Sequence, residues 1–572
     1  MSRLSEVTSA LMPHLMLAPI ALPMFTAALL LLLREEQQRL KFGVSLVSTL
    51  VGLLVSIALL QWVHRQGAEV GMGVYLPGNW PAPFGIVLVL DRLTALMLLL
   101  TSLVALCSVL FAGARWQRAG VLYQALFQFQ LMGLAGAFLT GDLFNLFVFF
   151  EIMLAASYGL LLHGSGRARV QSGLHYIAIN LAASSLFLVG AAMLYALTGT
   201  LNMADLARAV PQVLPADRGL LHAAAAILAT AFLIKAALWP LNFWLVPAYS
   251  AATAPVGALF ALMTKVGLYA LLRLWSLLFG ADAGASAQFG GLWLILGGMA
   301  TMAFGAIGMM GSQRLTHLAS HAAVLSSGTL LAAAGFGQDR LTAGLLYYLP
   351  SSTLAVAALF LLADLTERWR NDGATLAPYE NDDDAPFLSA ELVPTAGLNL
   401  DDEEQVLVGR VIPAATAFMG LAYLMSTLVI AGLPPLSGFI GKFAMLGPLL
   451  DPQGLGTAPG TSPGPAGWTL LALMIGTGLV ALMALTRSGI RHFWAASERD
   501  RPQLHVLEGL PIALLLAACV VLTVQAEGVM RFTTATARAL YAPAGYVRAV
   551  LNAPPRTGPG DSARHAGKEA RP

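Results

Sequence analysis

The chain has 572 residues, of which 57% are hydrophobic and only 11% charged, with a formal net charge of +2. Soluble domains carry about 25% charged residues, so the composition excludes soluble and fibrous classes and gives no footing for nucleic acid. Cys107 and Cys519 are the only cysteines and both lie in apolar runs, which excludes a disulfide framework, a four-cysteine iron–sulfur site and a structural zinc site.

Apolar runs of about 20 residues, each able to cross about 30 Å of hydrocarbon, recur throughout. Windowed hydropathy predicts fourteen spans, near 13–33, 43–63, 86–113, 121–140, 143–163, 174–198, 219–245, 251–278, 289–311, 317–336, 342–365, 411–449, 467–486 and 509–529. The first run ends in Arg34-Glu35-Glu36 rather than a small-residue cleavage site, so it is expected to remain as a span. Barrel strands would alternate polar and apolar residues at every second position. The expectation is an all-α polytopic membrane protein.

Arginine and lysine crowd the loops after spans 1, 3, 5 and 13, for example Arg34, Arg39, Lys41, Arg115, Arg118, Arg167 and Arg169. Such loops stay in the cytoplasm, which puts both termini outside. Residues 366–410 hold 11 of the 30 acidic residues and read as a solvated cytoplasmic linker. Residues 451–466, rich in Pro and Gly, read as an external loop, and the tail from Pro554 onward has the composition of disorder.

The five lysines divide sharply. Lys41 and Lys568 are expected in water, whereas Lys235, Lys265 and Lys442 fall inside apolar segments, as does the carboxylate of Glu151. An amine at mid-membrane costs about 2.5–3.5 kcal/mol on insertion scales. A buried Lys, unlike Arg, can release and rebind a proton. One such residue is as well explained by an ion pair locking helices or by snorkelling; three lysines and a glutamate near mid-depth favour a proton path. Lys235 precedes Leu238-Trp239-Pro240, and Lys442 follows Gly432-Leu433-Pro434-Pro435. Proline removes an intrahelical bond, so spans 7 and 12 are expected to be broken. Paired interruptions of this kind point to a transporter's ion path. Their separation suggests two inverted five-helix repeats, spans 4–8 and 9–13. The chain then divides into residues 1–120, 121–280, 281–490 and 491–572.

His317 and His321 share a face of span 10. With no further ligand in view, a proton relay is favoured over a metal, and a satisfied structural pair is equally open. Asp142 reads as a helix N-cap, while His175 and His222 read as structural and Asp364 as interfacial. No metal or cofactor is expected.

Several of these segments resemble the antiporter-like subunits shared by Mrp-type cation/proton antiporters and respiratory complex I. They include Gly141-Asp142-Leu143-Phe144-Asn145 running to Phe149-Phe150-Glu151, Lys235-Ala236-Ala237-Leu238-Trp239-Pro240, Thr264-Lys265-Val266-Gly267 and Gly432-Leu433-Pro434-Pro435-Leu436-Ser437-Gly438-Phe439. Trp80-Pro81-Ala82-Pro83-Phe84-Gly85-Ile86 with Asp91-Arg92-Leu93 is most similar to the D subunits of Mrp antiporters, and lysine rather than glutamate at 442 disfavours the complex I subunit otherwise nearest in resemblance. The resemblance implies a fourteen-helix core with inverted repeats in a bacterial-type inner membrane. It implies a Glu151–Lys235 pair, proton transfer along the central axis at Lys265, and Lys442 as the link to the second half-channel. It also implies work within a heteromeric complex, exchanging protons for sodium or another monovalent cation. The alternative is a proton-pumping module of a redox enzyme such as complex I or a membrane-bound hydrogenase. A scaffold held together by buried charges is a third reading. Where the family usually has histidines, this chain has Ser351 and Asn242, and span 10 begins Arg314-Leu315-Thr316-His317 in place of an acidic–basic run. The resemblance therefore leaves His317 as a substitute base for the second half.

Overall fold

The computed structural model describes residues 12–555, apart from 13, 67–70, 116–119, 121, 165, 373–413, 451–463 and 495–503. Most of the acidic linker, the external Pro/Gly loop and the tail from 556 lie outside the described residues. The described chain is helical: α1 (Ala18–Leu32), α2 (Gln38–Arg65), α3 (Arg92–Ala114), α4 (Tyr123–Leu139), α5 (Leu143–Leu161), α6 (Arg167–Thr198) and the short α7 (Met203–Ala209). Then follow α8 (Arg218–Lys235), α9 (Leu245–Ala251), α10 (Ala254–Leu278), α11 (Gly291–Gly311), α12 (Leu315–Gly335) and α13 (Asp339–Asp372). The last are α14 (Ala414–Ala431), α15 (Ser437–Leu450), α16 (Pro465–Gly489), α17 (Val506–Val524), α18 (Ala526–Leu540) and α19 (Ala544–Leu551).

Among the described residues, twelve helices are long and apolar enough to cross a membrane. The other two expected spans, 13–33 and 121–140, are helices of 15 and 17 residues. The third span is shorter than expected at its start. Residues Leu88–Leu90 pair antiparallel with Gly73–Tyr75 as a two-stranded hairpin, a correction to the expected start of that span near residue 86 within an architecture that is all-α as expected. The helix begins only at Arg92, because the Asp91 carboxylate accepts from the Thr94 amide at 2.9 Å and caps it. A second correction concerns Lys41, expected in water, which is 3% exposed: α2 packs along α1 and α3, and Lys41 is buried in a first turn whose Arg39 and Leu40 stay exposed. A third lies at the C-terminal end, where α18 and α19 follow the last span. On α18, Thr533, Thr536, Ala537 and Leu540 form a buried stripe at helical spacing, and the helix packs on α13.

Two helices form the centre. Every residue of α10 except Trp275 is buried, and α10 and α13 pack against each other. Around them α11 and α12 approach closely: a Cβ on Gly298 would meet the Ala332 backbone at 2.3 Å. Such small-residue contacts substitute in membranes for the hydrophobic drive available in water.

The interruptions expected in spans 7 and 12 are present, between α8 and α9 and between α14 and α15. They share one local geometry. Ala237 has φ 57° and Gly432 φ 79°, and in each case the next amide reaches back five residues, Leu238 to the Leu233 carbonyl at 3.0 Å and Leu433 to the Leu428 carbonyl at 2.9 Å. A cis proline closes both turns, at Trp239-Pro240 and at Pro434-Pro435.

Candidate functional site

Unwound backbone within a membrane must find its partners in the protein, and at the first break it does. The Trp239 amide donates to Thr301 Oγ1 on α11 at 2.8 Å, Ser327 Oγ on α12 donates to the Ala236 carbonyl, and Trp244 Nε1 donates to the Ile234 carbonyl at 3.3 Å. At the second break the partner is a lysine. Lys442 Nζ donates to the Ala431 carbonyl at 2.8 Å and the Ile430 carbonyl at 3.3 Å, closing the end of α14. Lys235 is the last residue of α8. Both amines thus stand at the C-terminal end of a broken helix, where the backbone dipoles favour positive charge.

Glu151 on α5 and Lys235 on α8 come near one another where the Phe150 and Phe232 rings pack edge to face at 6.1 Å. No nitrogen–oxygen contact within 4.0 Å joins the two charges. The Glu151 carboxylate accepts a hydrogen bond from Ser184 Oγ on α6. Lys235 Nζ lies 5.0 Å from the centroid of the Phe150 ring, a cation–π position. A cavity of about 10 Å³ adjoins Lys235, Tyr176 and Asn180, the size of a single water.

Lys265, 1% exposed at the middle of α10, heads a hydroxyl chain. Its Nζ donates to Ser326 Oγ on α12 at 3.0 Å, Ser326 Oγ donates to Ser352 Oγ on α13 at 2.8 Å, and Ser352 Oγ donates to the Leu349 carbonyl at 3.2 Å. The neighbouring Ser351 hydroxyl is 2.8 Å from that of Ser437, which lies on α15 with Lys442. Three helices therefore carry hydroxyl groups from Lys265 toward Lys442. The sequence reading missed Ser326, Ser352 and Ser437, although the doublets Ser326-Ser327 and Ser351-Ser352 inside apolar runs were visible.

His317 and His321 lie apart from this chain, toward the start of α12. His317 lines a cavity of about 570 Å³ with Arg167, Arg169, Arg314, Asp364 and Glu367. His321 stands one turn deeper beside Phe304, and its Nδ1 has no hydrogen-bond partner among the described residues. Asp142 caps α5 through the Asn145 amide at 2.9 Å, as expected of it. His222 stacks on Phe289 at 4.4 Å and His175 bonds its own helix at Gln171. Asp364 falls within α13, which runs on to Asp372, and pairs with Arg368 at 3.0 Å.

One buried ion pair was not expected from the sequence. Arg273 contacts both carboxylate oxygens of Asp91 at 2.7 Å, tying α10 to the cap of α3. Its guanidinium also lies 5.2 Å from the Tyr546 ring of α19 and 5.6 Å from that of Tyr269.

Residues 140–381 match the family described as NADH:quinone oxidoreductase/Mrp antiporter, TM. The chain is 50% identical over 542 residues to the D subunit of a probable K(+)/H(+) antiporter of Rhizobium meliloti, covering 95% of this chain and 98% of that one. It is 33% identical over 549 residues to the D subunit of the Na(+)/H(+) antiporter of Alkalihalophilus pseudofirmus, covering 94% and 100%. In three dimensions it is similar to a chain of the Mrp complex from Dietzia sp. DQ12-45-1b, with a TM-score of 0.78 at 25% identity over 94% of this chain and 99% of that chain.

Proposed function

The chain belongs to the family of Mrp antiporter D subunits, and from that membership we propose that it carries the proton half of a monovalent cation/proton exchange. It is a multi-pass membrane protein and one component of a multisubunit antiporter. Its place is the bacterial plasma membrane, with the arginine-rich odd loops and the linker in the cytoplasm and both termini outside. The relatives at 50% and 33% identity are named for K(+) and Na(+), so both cations are to be assayed. Residues 121–280 and 281–490 serve as the two repeats, an assignment supported by the matched breaks.

Protons enter at Glu151 and Lys235, pass to Lys265, cross the serine chain and reach Lys442. His317 and His321 supply the second half from its own mouth. The observation that carries this reading is the hydrogen-bonded line from Lys265 Nζ through Ser326 to Ser352. Hydroxyls both donate and accept, and three apolar helices would not otherwise align them in the dry centre of the fold. Glu151→Gln and Lys235→Ala, each made in the complete complex, are expected to abolish cation-driven proton flux in everted vesicles. Unchanged flux in either variant rejects the role.

A further inference from the structure

We propose that a monovalent alkali cation binds in a cavity of neutral oxygens between the three N-terminal helices and α4. The inference rests on the exchange reading above and goes further, giving this chain a cation site as well as a proton path. Helices α1 to α4 pack on one another and enclose a cavity of about 40 Å³. Its wall takes Ser48, Thr49 and Ser56 from α2, Thr101 and Ser102 from α3, and Gln128 from α4, with Pro19 and Pro23 from α1. The volume is about three times what one water needs, enough for an alkali ion that keeps part of its hydration shell.

The wall has oxygens to spare. Thr101 is 4% exposed, yet its Oγ1 has no hydrogen-bond partner among the described residues. Gln128 Oε1 accepts from Ser48 Oγ only at 3.5 Å, a long bond. Pro23 has no amide hydrogen, so the Pro19 carbonyl one turn before it lacks its i+4 donor. A buried oxygen without a donor is costly, and one cation satisfies several at once. Hydroxyl, amide and freed carbonyl oxygens replace the hydration shell of alkali ions in membrane proteins. Divalent ions are held through carboxylates, and none of the residues lining this cavity carries one. Lys41 is buried on the same face of α2, about 10 Å before Ser48. Its charge repels a divalent ion twice as strongly as a monovalent one.

Further polar groups lead in from the end where α2 and α4 begin and α3 finishes. Gln124 lies one turn before Gln128, and Ser108 two turns after Thr101. Both are buried, and neither side chain has a hydrogen-bond partner among the described residues. On another side, α4 packs closely on the stretch of α5 around Glu151. A Cβ on Gly133 would meet the Met153 backbone at 2.9 Å, and one on Gly136 would overlap the Phe149 ring. One helix thus separates the cavity from the carboxylate that begins the relay, and the field of an ion bound there reaches Glu151.

The test measures equilibrium binding of radiolabelled sodium, and of rubidium in place of potassium, to the purified assembled complex. The cation dependence of exchange is read in everted vesicles. Thr101→Val removes an oxygen that makes no hydrogen bond among the described residues, so the complex is expected to assemble. It should weaken cation binding and raise the half-saturating cation concentration at least fivefold, with a smaller effect on the maximal rate. Thr101→Ser, which restores the oxygen, should recover most of the affinity. Ser102→Ala is read in the same way if Thr101→Val does not assemble. Parent-like binding and cation dependence in the assembled valine variant mean that water alone fills the cavity, and they overturn the inference. So does a loss of affinity that Thr101→Ser reproduces in full, which marks a packing effect. Glu151→Gln separates the two claims, since it is expected to abolish exchange and keep the bound cation. If Glu151→Gln retains exchange, the relay reading fails and the cation site is decided by binding; if it abolishes exchange while Thr101→Val binds cation as the parent does, only the site fails.

Discussion

Glu151 and Lys235 stand near one another where α5 meets α8, without forming an ion pair. A serine holds the carboxylate and an aromatic ring holds the amine: Ser184 Oγ donates to Glu151, and Lys235 Nζ sits 5.0 Å from the Phe150 ring centroid. Each charge has a partner of its own. Closing the pair draws the amine from its cation–π position, while Ser184 can keep its one carboxylate oxygen, so the separated state has a hold that cation movement elsewhere in the complex can oppose.

Ser184 should therefore set the rate of the first transfer. Hydrogen bonds to charged groups contribute about 1.5–3 kcal/mol. Ser184→Ala is expected to change the initial exchange rate by about tenfold or more, while Ser184→Thr retains most of it. Stopped-flow quenching of a pH dye in everted vesicles reads the difference. Equal rates for the alanine and threonine variants would remove Ser184 from the path.

The serine line makes a second distinction. Ser326→Ala leaves Lys265 buried and without its oxygen partner, and is expected to lower exchange at least tenfold with the complex still assembled. Ser326→Thr keeps the hydroxyl and should recover most of the rate. The decisive comparison is turnover per assembled complex, and an alanine variant as fast as the parent would show that the line carries nothing.

The two breaks predict opposite outcomes for exchanged residues. Gly432 has φ 79°, and a Cβ there would lie 2.5 Å from Lys442 Cδ. The left-handed region disfavours a side chain by about 1–2 kcal/mol, and the displaced Lys442 would leave the Ile430 and Ala431 carbonyls. Gly432→Ala is expected to impair exchange severely. Ala237 already occupies φ 57°, so Ala237→Gly should be neutral or slightly stabilising. Thermal denaturation of the purified complex alongside flux assays checks both, and a damaging Ala237→Gly would contradict the account.

The Asp91–Arg273 pair is predicted to act on stability alone. Removing one partner of a buried ion pair typically costs about 3–5 kcal/mol, because the other charge is left uncompensated. Arg273→Met should lower the amount of assembled complex and its melting temperature, and the double change Asp91→Asn with Arg273→Gln should restore much of both. Exchange per assembled complex is expected to stay near the parent value. A loss of turnover in a fully assembled Arg273→Met complex would place this pair in the transport path.

The spans were legible because each is a long apolar run, and the breaks because Pro240, Pro434 and Pro435 interrupt such runs. The buried amines were legible for the same reason, as charges among apolar neighbours. Their partners were not. Ser326 meets Lys265 from a helix 61 positions away, and nothing local to either residue encodes that meeting. Arg273 stood near the end of a span, and only the packing of α10 on α3 brings the cap of α3 against it. The helices α18 and α19 escaped because their apolar residues form a stripe on one side, which a windowed average over both sides dilutes. Lys41 was misread because its local sequence is polar, while its cover comes from neighbouring helices.

Because α10 and α13 are walled in by the other helices, the lysine and serines they bear meet no acyl chains. The bilayer around the protein can change in thickness or headgroup without altering the medium those groups experience. The insulation has a converse. With so little mobile solvent to screen it, a charge displaced on α10 is felt across the surrounding helices, so an ion binding in a neighbouring component of the complex can register there through its field alone.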